Sequence, residues 1–248
     1  MVDDRGKTKT AGIIIIGNEI LSGKVRDTNS HFLASELRSL GVSVMRISVI
    51  PDEVDVIGSE AALFSSTYDY VFTAGGVGPT HDDVTMAGIA RGFGKNLIVH
   101  PELRERFRRR YGDACNEAIM KMAVVPEGTE IVKSEGMRFP VMTFKNIFIL
   151  PGIPEYLEEK FAAIKERFRS SSYCLKKFFV NADESDITSV LNSVVSENPG
   201  VSFGSYPVVG NPEYKVVVTA ECKSSDLLDK AVEALVRQLP ETMIVRIE

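Results

Sequence analysis

The stretch Thr73-Ala74-Gly75-Gly76-Val77-Gly78-Pro79-Thr80-His81-Asp82-Asp83-Val84-Thr85 decides how this chain is read. It follows Tyr70-Val71-Phe72, an apolar segment that reads as the end of a buried strand. Gly75, Gly76 and Gly78 permit positive φ and let the backbone come close to a ligand. Pro79 stiffens the exit. Asp82 and Asp83 place two carboxylates beside a helix start, where Asp83 or Thr85 can cap free N–H groups. A plain strand-to-helix turn needs only one glycine and one cap. A glycine turn that presents amide donors, followed at once by paired acids, suits a phosphorylated ligand held with a divalent cation. The spacing departs from both standard nucleotide motifs. His81 stands where a dinucleotide fingerprint needs its third glycine, and Val25 replaces the Ser/Thr after Gly23-Lys24 of a Walker A loop.

Working outward, Ile13 to Ile16 is a continuous β-branched run, as expected of a strand buried on both faces. Gly17 to Gly23 reads as a loop. Asp27-Thr28-Asn29 offers caps to a helix with Leu33, Leu37 and Leu40 on one face, and Gly41 stops it. Val42 to Ile50 is a second strand. Pro51-Asp52 turns into a helix carrying Val54, Ile57, Ala61 and Phe64, and Tyr68 to Phe72 is a third strand. Strands alternating with helices over short connections predict βαβ units and a mostly parallel sheet in an α/β fold. Helices are expected over 85–93, 101–111 and 116–124. A hairpin is expected from Phe139 to Leu150 around Lys145-Asn146, followed by a helix with Leu157, Phe161, Ile164 and Phe168 inward. Ser170-Ser171-Ser172 resembles a linker. Beyond it the order strand (178–180), helix (187–195), strands (201–206 and 214–220), helix (227–239) and strand (243–247) is the βαββαβ unit of a small α+β domain. The expected division is a disordered leader over 1–10, a first domain over 11–169 and a second over 173–248.

Composition narrows the class. With 248 residues and 44% hydrophobic content the chain can bury a sizeable core. A net charge of −5 argues against a general nucleic-acid binder. Arg104, Arg106, Arg108, Arg109 and Arg110 form a local basic cluster, read as a solvated helix face able to steer an anion. Cys115, Cys174 and Cys222 are widely spaced with no CxxC pair, which points away from zinc and disulfides and towards a reducing compartment. The apolar run 11–16 is too short for a signal core or a membrane span, so a cytoplasmic protein without a membrane partner is expected.

In an open parallel sheet, ligands sit beyond the carboxyl ends of the strands. The first three strands end in Gly17-Asn18-Glu19, Pro51-Asp52 and Gly75 to Asp83, so all three loops are expected at one edge. They bring Glu19, Asp52, Asp82 and Asp83 as candidate ligands of a divalent metal such as Mg, Mn or Co, with Asp27 approaching from the first helix. Each of these acids can also serve simply as a cap. His81 can contact a phosphate, act as an acid or stand idle at the surface.

Together, Gly17 to Gly23, Asp27-Thr28-Asn29, Val49 to Glu53 and Gly75 to Thr85 resemble the molybdopterin-binding (MoaB/MogA-like) domain family. They are most similar to the versions at the N-terminus of CinA-type proteins and of eukaryotic FAD synthases. The Thr80-His81-Asp82-Asp83-Val84-Thr85 variant and Leu150-Pro151-Gly152-Ile153-Pro154-Glu155 resemble the FAD-synthase branch, which also carries the second domain. The resemblance implies metal-dependent hydrolysis of a nucleotide pyrophosphate, FAD or ADP-ribose. Its alternatives are molybdopterin binding or adenylyl transfer, and a non-catalytic regulatory module. It implies Asp52 and Asp83 as the catalytic acids. The implied ligand-binding set is Gly17, Asn18, Glu19, Asp27, Thr28, Asn29, Thr73, Gly75, Gly76, Gly78, Pro79, Thr80, His81, Thr85, Pro151 and Gly152. It also implies a homo-oligomer, dimer or trimer. One departure stands out: the first loop usually reads Gly-Asp-Glu, and here it is Gly17-Asn18-Glu19, which removes one charged oxygen.

Overall fold

A computed structural model describes residues 8–132 and 140–248. These fall into two compact units that divide between Ser170 and Ser171. The first unit opens with β1 (Thr10–Ile16), α1 (Asn18–Leu21), α2 (Asn29–Ser39), β2 (Ser43–Ile50), α3 (Val54–Thr67) and β3 (Tyr70–Ala74). It continues through α4 (Thr85–Gly92), β4 (Leu97–Val99), α5 (Pro101–Tyr111), α6 (Glu117–Lys121), β5 (Val124–Pro126) and β6 (Glu130–Val132). It closes with β7 (Val141–Phe144), β8 (Ile147–Leu150) and α7 (Pro154–Ile164).

The main sheet has the order β2-β1-β3-β8-β7-β6. β2, β1, β3 and β8 run parallel, and β7 and β6 continue antiparallel. The β-branched run of β1 divides between two cores, as alternation along a strand requires. Ile13 and Ile15 pack with Leu33, Leu37, Phe72, Phe161 and Phe168, beneath α2 and α7. Ile14 and Ile16 pack with Ile57, Ala61, Phe64 and Ile89, beneath α3 and α4. The result is a three-layer α/β architecture with both faces of the central strands covered.

Several expectations are corrected. Thr10, assigned to the leader, begins β1. Its N–H and hydroxyl donate to Asp69 at 2.8 and 2.9 Å, and Lys9 pairs with the same carboxylate at 3.1 Å. A partner about sixty positions downstream is invisible to local patterning. Gly17 to Gly23 is not a simple loop: the Gly17 carbonyl accepts from Ile20 and Leu21 at 3.2 and 3.3 Å, closing the single turn α1. The helix expected over 116–124 ends at Lys121, because Val124 pairs with Val99 in a two-stranded β4–β5 sheet. β4, β5 and β6 have three residues each, too few to carry a legible period. Phe139, expected to begin the hairpin, lies outside the described residues; β7 starts at Val141.

The second unit contains β9 (Cys174–Val180), α8 (Glu184–Glu197), β10 (Ser202–Pro207), β11 (Val216–Cys222), α9 (Ser225–Gln238) and β12 (Ile244–Ile247). Its antiparallel sheet has the order β10-β11-β9-β12, the arrangement of a split βαβ, ferredoxin-like unit. Strict alternation in β11 buries Val216, Val218, Ala220 and Cys222 against α8 and α9.

Asn146, at the tip of the β7–β8 hairpin, ties the first unit together. Its amide donates to the carbonyls of Ser65 and Tyr68 at 3.1 and 2.9 Å and accepts from the Ser65 hydroxyl at 2.6 Å. Asn146→Ala leaves these partners unmatched, and a loss of about 1–3 kcal/mol is expected. Chemical denaturation of the purified chain checks this, and an unchanged midpoint would contradict it.

Candidate active site

The four parallel strands place their carboxyl ends together, through the pairings Ile16 with Ile50, Ile15 with Ala74 and Ala74 with Leu150. Gly17, Pro51, Gly75 and Pro151 therefore leave the sheet at one edge. β1 stands between β2 and β3, so the switch in strand order falls at this edge too.

The glycine loop is held from several sides. Gly75 has φ +109°, and a Cβ there would stand 2.1 Å from the Ile16 carbonyl oxygen. Its own carbonyl accepts from the fully buried Thr85 hydroxyl at 2.9 Å, and Thr85 N–H donates to Gly76 O at 3.0 Å. Asp83 reaches back into the loop rather than forward into α4. Its carboxylate accepts from Gly78 N–H at 2.6 Å, from Thr80 N–H at 2.8 Å and from the Thr80 hydroxyl. The sequence assigns the Gly78 amide to a phosphate cradle; here it is engaged by Asp83. On the far side Lys121 donates to the Thr80 carbonyl.

Beside the loop opens a cavity of about 560 Å³. Its wall includes Glu19, Gly75, Gly76, Gly78, Pro79 and Asp83, with Pro151 and Gly152 from the loop after β8. It also includes Leu103 and Phe107 of α5 with Met122, Met142, Tyr156 and Lys160. The basic cluster on α5 thus serves as the solvated outside of a cavity wall: Leu103 and Phe107 are buried while Arg104, Arg108, Arg109 and Arg110 are exposed.

The remaining sequence candidates separate by role. Asp52 accepts from Asn18 N–H at 2.8 Å, linking the loops after β1 and β2 and capping α1. Asn18 is exposed and neither it nor Asp52 lines the cavity, so the asparagine departure falls outside the wall. Asp27 caps α2 through Ser30 N–H at 3.0 Å, and the Thr28 carbonyl accepts from Phe32. Asn29 is buried and donates to Gly152 O at 2.7 Å, fixing the loop after β8. Thr73 is buried in β3, with a hydroxyl that meets no partner among the described residues. His81 is 98% exposed, 3.9 Å from Asp82.

Among the described residues no three of His, Cys, Asp and Glu come together as a metal cage. The four acids named from the sequence as metal ligands are divided: Glu19 and Asp83 line the cavity, while Asp52 and Asp82 do not. The reason lies in hydrogen bonding, since Asp52 is drawn to the Asn18 amide and Asp82 projects outward with His81.

Lys160 was missed by sequence reasoning. It sits on α7, which buries Leu157, Phe161 and Ile164 in the core. Ile153, Tyr156 and Lys160 form a second stripe at helical spacing and all line the cavity. Such a stripe looks like a solvent face until the tertiary structure covers it.

An open α/β sheet with a glycine loop at its switch point defines a small-molecule-binding domain. The comparisons give the family. Residues 12–170 match the model described as "Probable molybdopterin binding domain", and residues 172–248 match "FAD synthase, middle domain". The chain belongs to this molybdopterin-binding-domain family and joins it to an FAD-synthase middle domain. It is 35% identical to a "Probable FAD synthase" of Caenorhabditis elegans, over 92% of this chain and 49% of that protein. It therefore spans about half the length of that relative. It is 39% identical to a protein of Archaeoglobus fulgidus, over 89% of this chain and 94% of the relative. A crystal structure of the protein CinA of unknown function from Thermoplasma acidophilum superposes with TM-score 0.59 at 30% identity, over 65% of this chain and 99% of that one. No helix among the described residues is long and apolar enough to cross a membrane.

Because Asp83 organises the loop, Asp83→Ala should speed hydrogen exchange at the Gly78 and Thr80 amides by about tenfold or more, the scale of one lost charge-assisted bond. Exchange at β1 should not change. Exchange mass spectrometry reads both, and unaltered loop protection would refute this role.

Proposed function

We propose that this chain binds a nucleotide pyrophosphate in the cavity and hydrolyses it, FAD to FMN and AMP or ADP-ribose to ribose 5-phosphate and AMP. The observation that carries this is the division of one cavity's lining between a glycine-and-carboxylate set and an apolar set. The first suits phosphates, which approach closely where there are no side chains. The second, walled by Leu103, Phe107, Met122 and Met142, suits a flat heteroaromatic ring. The volume lies within the usual range for small-molecule sites, roughly 300–1,000 Å³.

Glu19 and Asp83 are the carboxylates that would hold a divalent ion. Asp83 Oδ2 already accepts from both the Thr80 N–H and the Thr80 hydroxyl, while Oδ1 accepts from the Gly78 N–H and keeps a lone pair free for an ion. A site with two carboxylates fits an ion that keeps water and takes phosphate oxygens as its other ligands. Such an ion supplies charge neutralisation and Lewis acidity. The protein's own contribution is to orient the phosphates along the glycine loop and to seat the ring. Asp52 contributes indirectly, by fixing the turn that carries Glu19.

A phosphorylated pterin matches the same division, and the family match over 12–170 favours it as the second reading. The test is incubation of the full chain with FAD and with ADP-ribose, each with Mg²⁺, Mn²⁺ or Co²⁺, and chromatographic detection of AMP. Turnover is expected with at least one ion, abolished by chelator and lowered about 10²-fold by Glu19→Gln, the scale for losing a charge-stabilising group. Absence of AMP under every condition, with tight binding of a phosphorylated pterin, would replace the hydrolase by the second reading.

A further inference from the structure

Lys160 is more than nine-tenths buried, yet it lines the cavity. Its Nζ donates to the Pro140 carbonyl at 2.7 Å, the acceptor it meets among the described residues. An ammonium has three protons to place. A cation in apolar surroundings is costly unless it is paired and hydrogen-bonded, and an apolar residue of similar length would avoid that cost. Pro140, Met142 and Tyr156 line the same cavity. Among the described residues lining this cavity it is the one cation; the other charged groups are Glu19 and Asp83.

The position is set by the helix. α7 begins at Pro154, beside the Gly152 turn that touches Gly75. Lys160 lies six residues further on, about 9 Å along the axis at ~1.5 Å per residue.

We propose that Lys160 is a specificity-determining ligand contact that selects molecules carrying a second anionic group beyond the phosphate held by the glycine loop. The ligand class is a nucleotide pyrophosphate, one phosphate at the loop and the other within reach of Nζ. This rests on the reading of the cavity as a phosphorylated-ligand site, and it concerns binding rather than hydrolysis. Burial supports it by drawing the Lys160 ammonium down to about 8, against the weaker opposing effect of Glu159. A group held so close to neutral charge is readily recharged by an arriving anion.

The sign with pH follows. The ammonium is present below about pH 8 and is lost above it, so anion affinity falls as pH rises through that value. The other titratable groups lining the cavity are Glu19, Asp83 and Tyr156, and Glu159 adjoins Lys160 on α7.

The test is calorimetric titration of the full chain, Lys160→Met and Lys160→Arg with ADP-ribose, AMP and uncharged adenosine at pH 7 and 9. Lys160→Met should weaken ADP-ribose about tenfold or more, while AMP and adenosine change less than twofold. Its melting temperature should hold or rise, because a buried charge has been removed. Wild-type affinity for ADP-ribose should drop between pH 7 and 9, and that of Lys160→Met should stay flat. Lys160→Arg should retain part of the preference. Equal weakening of all three ligands, or an unchanged ratio of ADP-ribose to AMP affinity, overturns the proposal. So does failure of the wild type to bind ADP-ribose more tightly than AMP. Tight, Lys160-dependent binding without release of AMP would leave this inference standing and remove the hydrolase reading alone.

Discussion

The close approach of backbone at Gly75 is the constraint on which the site depends. Three parallel strands, β1, β3 and β8, deliver their ends to one point. The Ile16 carbonyl sits where a Cβ would be, and Gly152 lies on the other side, its own Cβ position 3.3 Å from the Gly75 Cα. Any side chain at Gly75 would push β1 and β3 apart, and its positive φ disfavours one in any case. From this point the chain can turn outward as a loop while Thr85 returns to lock the Gly75 carbonyl. This part of the cavity wall is thus built from backbone, free of side chains at Gly75, Gly76 and Gly78.

The cavity's chemistry comes from layers that are distant in sequence. The glycine and carboxylate lining comes from the loops after β1, β3 and β8. The apolar lining comes from α5, the segment around Met122, β7 and α7. α5 faces two ways, with Leu103 and Phe107 inward and its arginines in water. The same helix can therefore wall an apolar chamber and present positive potential outside it, in keeping with an anionic ligand. The acids follow the same logic of position. Asp83 and Asp52 use much of their hydrogen-bonding capacity to hold loops, and so they set the shape of this edge.

The second unit is a fold built by its own alternation. β11 alternates buried and half-buried residues, and α8 and α9 cover one face of the sheet. On β12 Arg246 lies over the Phe179 ring at 3.9 Å and the Tyr214 ring at 5.3 Å, while pairing with Glu248. Alternation in the strands and helical spacing in α8 and α9 are local signals, which is why the order of these elements can be read from the amino acids alone.

The amino-acid sequence by itself determined the layer architecture, the glycine loop at a strand end, the convergence of three loops and the βαββαβ order. Each rests on short-range signals: β-branched runs, helical spacing, caps and turn residues. It also marked Glu19, Asp83, Gly75 and Gly152, which do line the cavity. Only the tertiary structure decided how the acids divide. Asp52 and Asp83 look alike in sequence, but one is claimed by the Asn18 amide and the other by Gly78 and Thr80. The tie of Thr10 to Asp69 and the pairing of β4 with β5 were likewise hidden, because their partners are remote or the segments too short. Lys160 is the clearest case. On a helix wheel it lies off the apolar face of Leu157, Phe161 and Ile164, and nothing local says that the Pro140 carbonyl will meet its ammonium. Burial is a property of the assembled layers, so a lysine's removal from water is decided only when those layers come together.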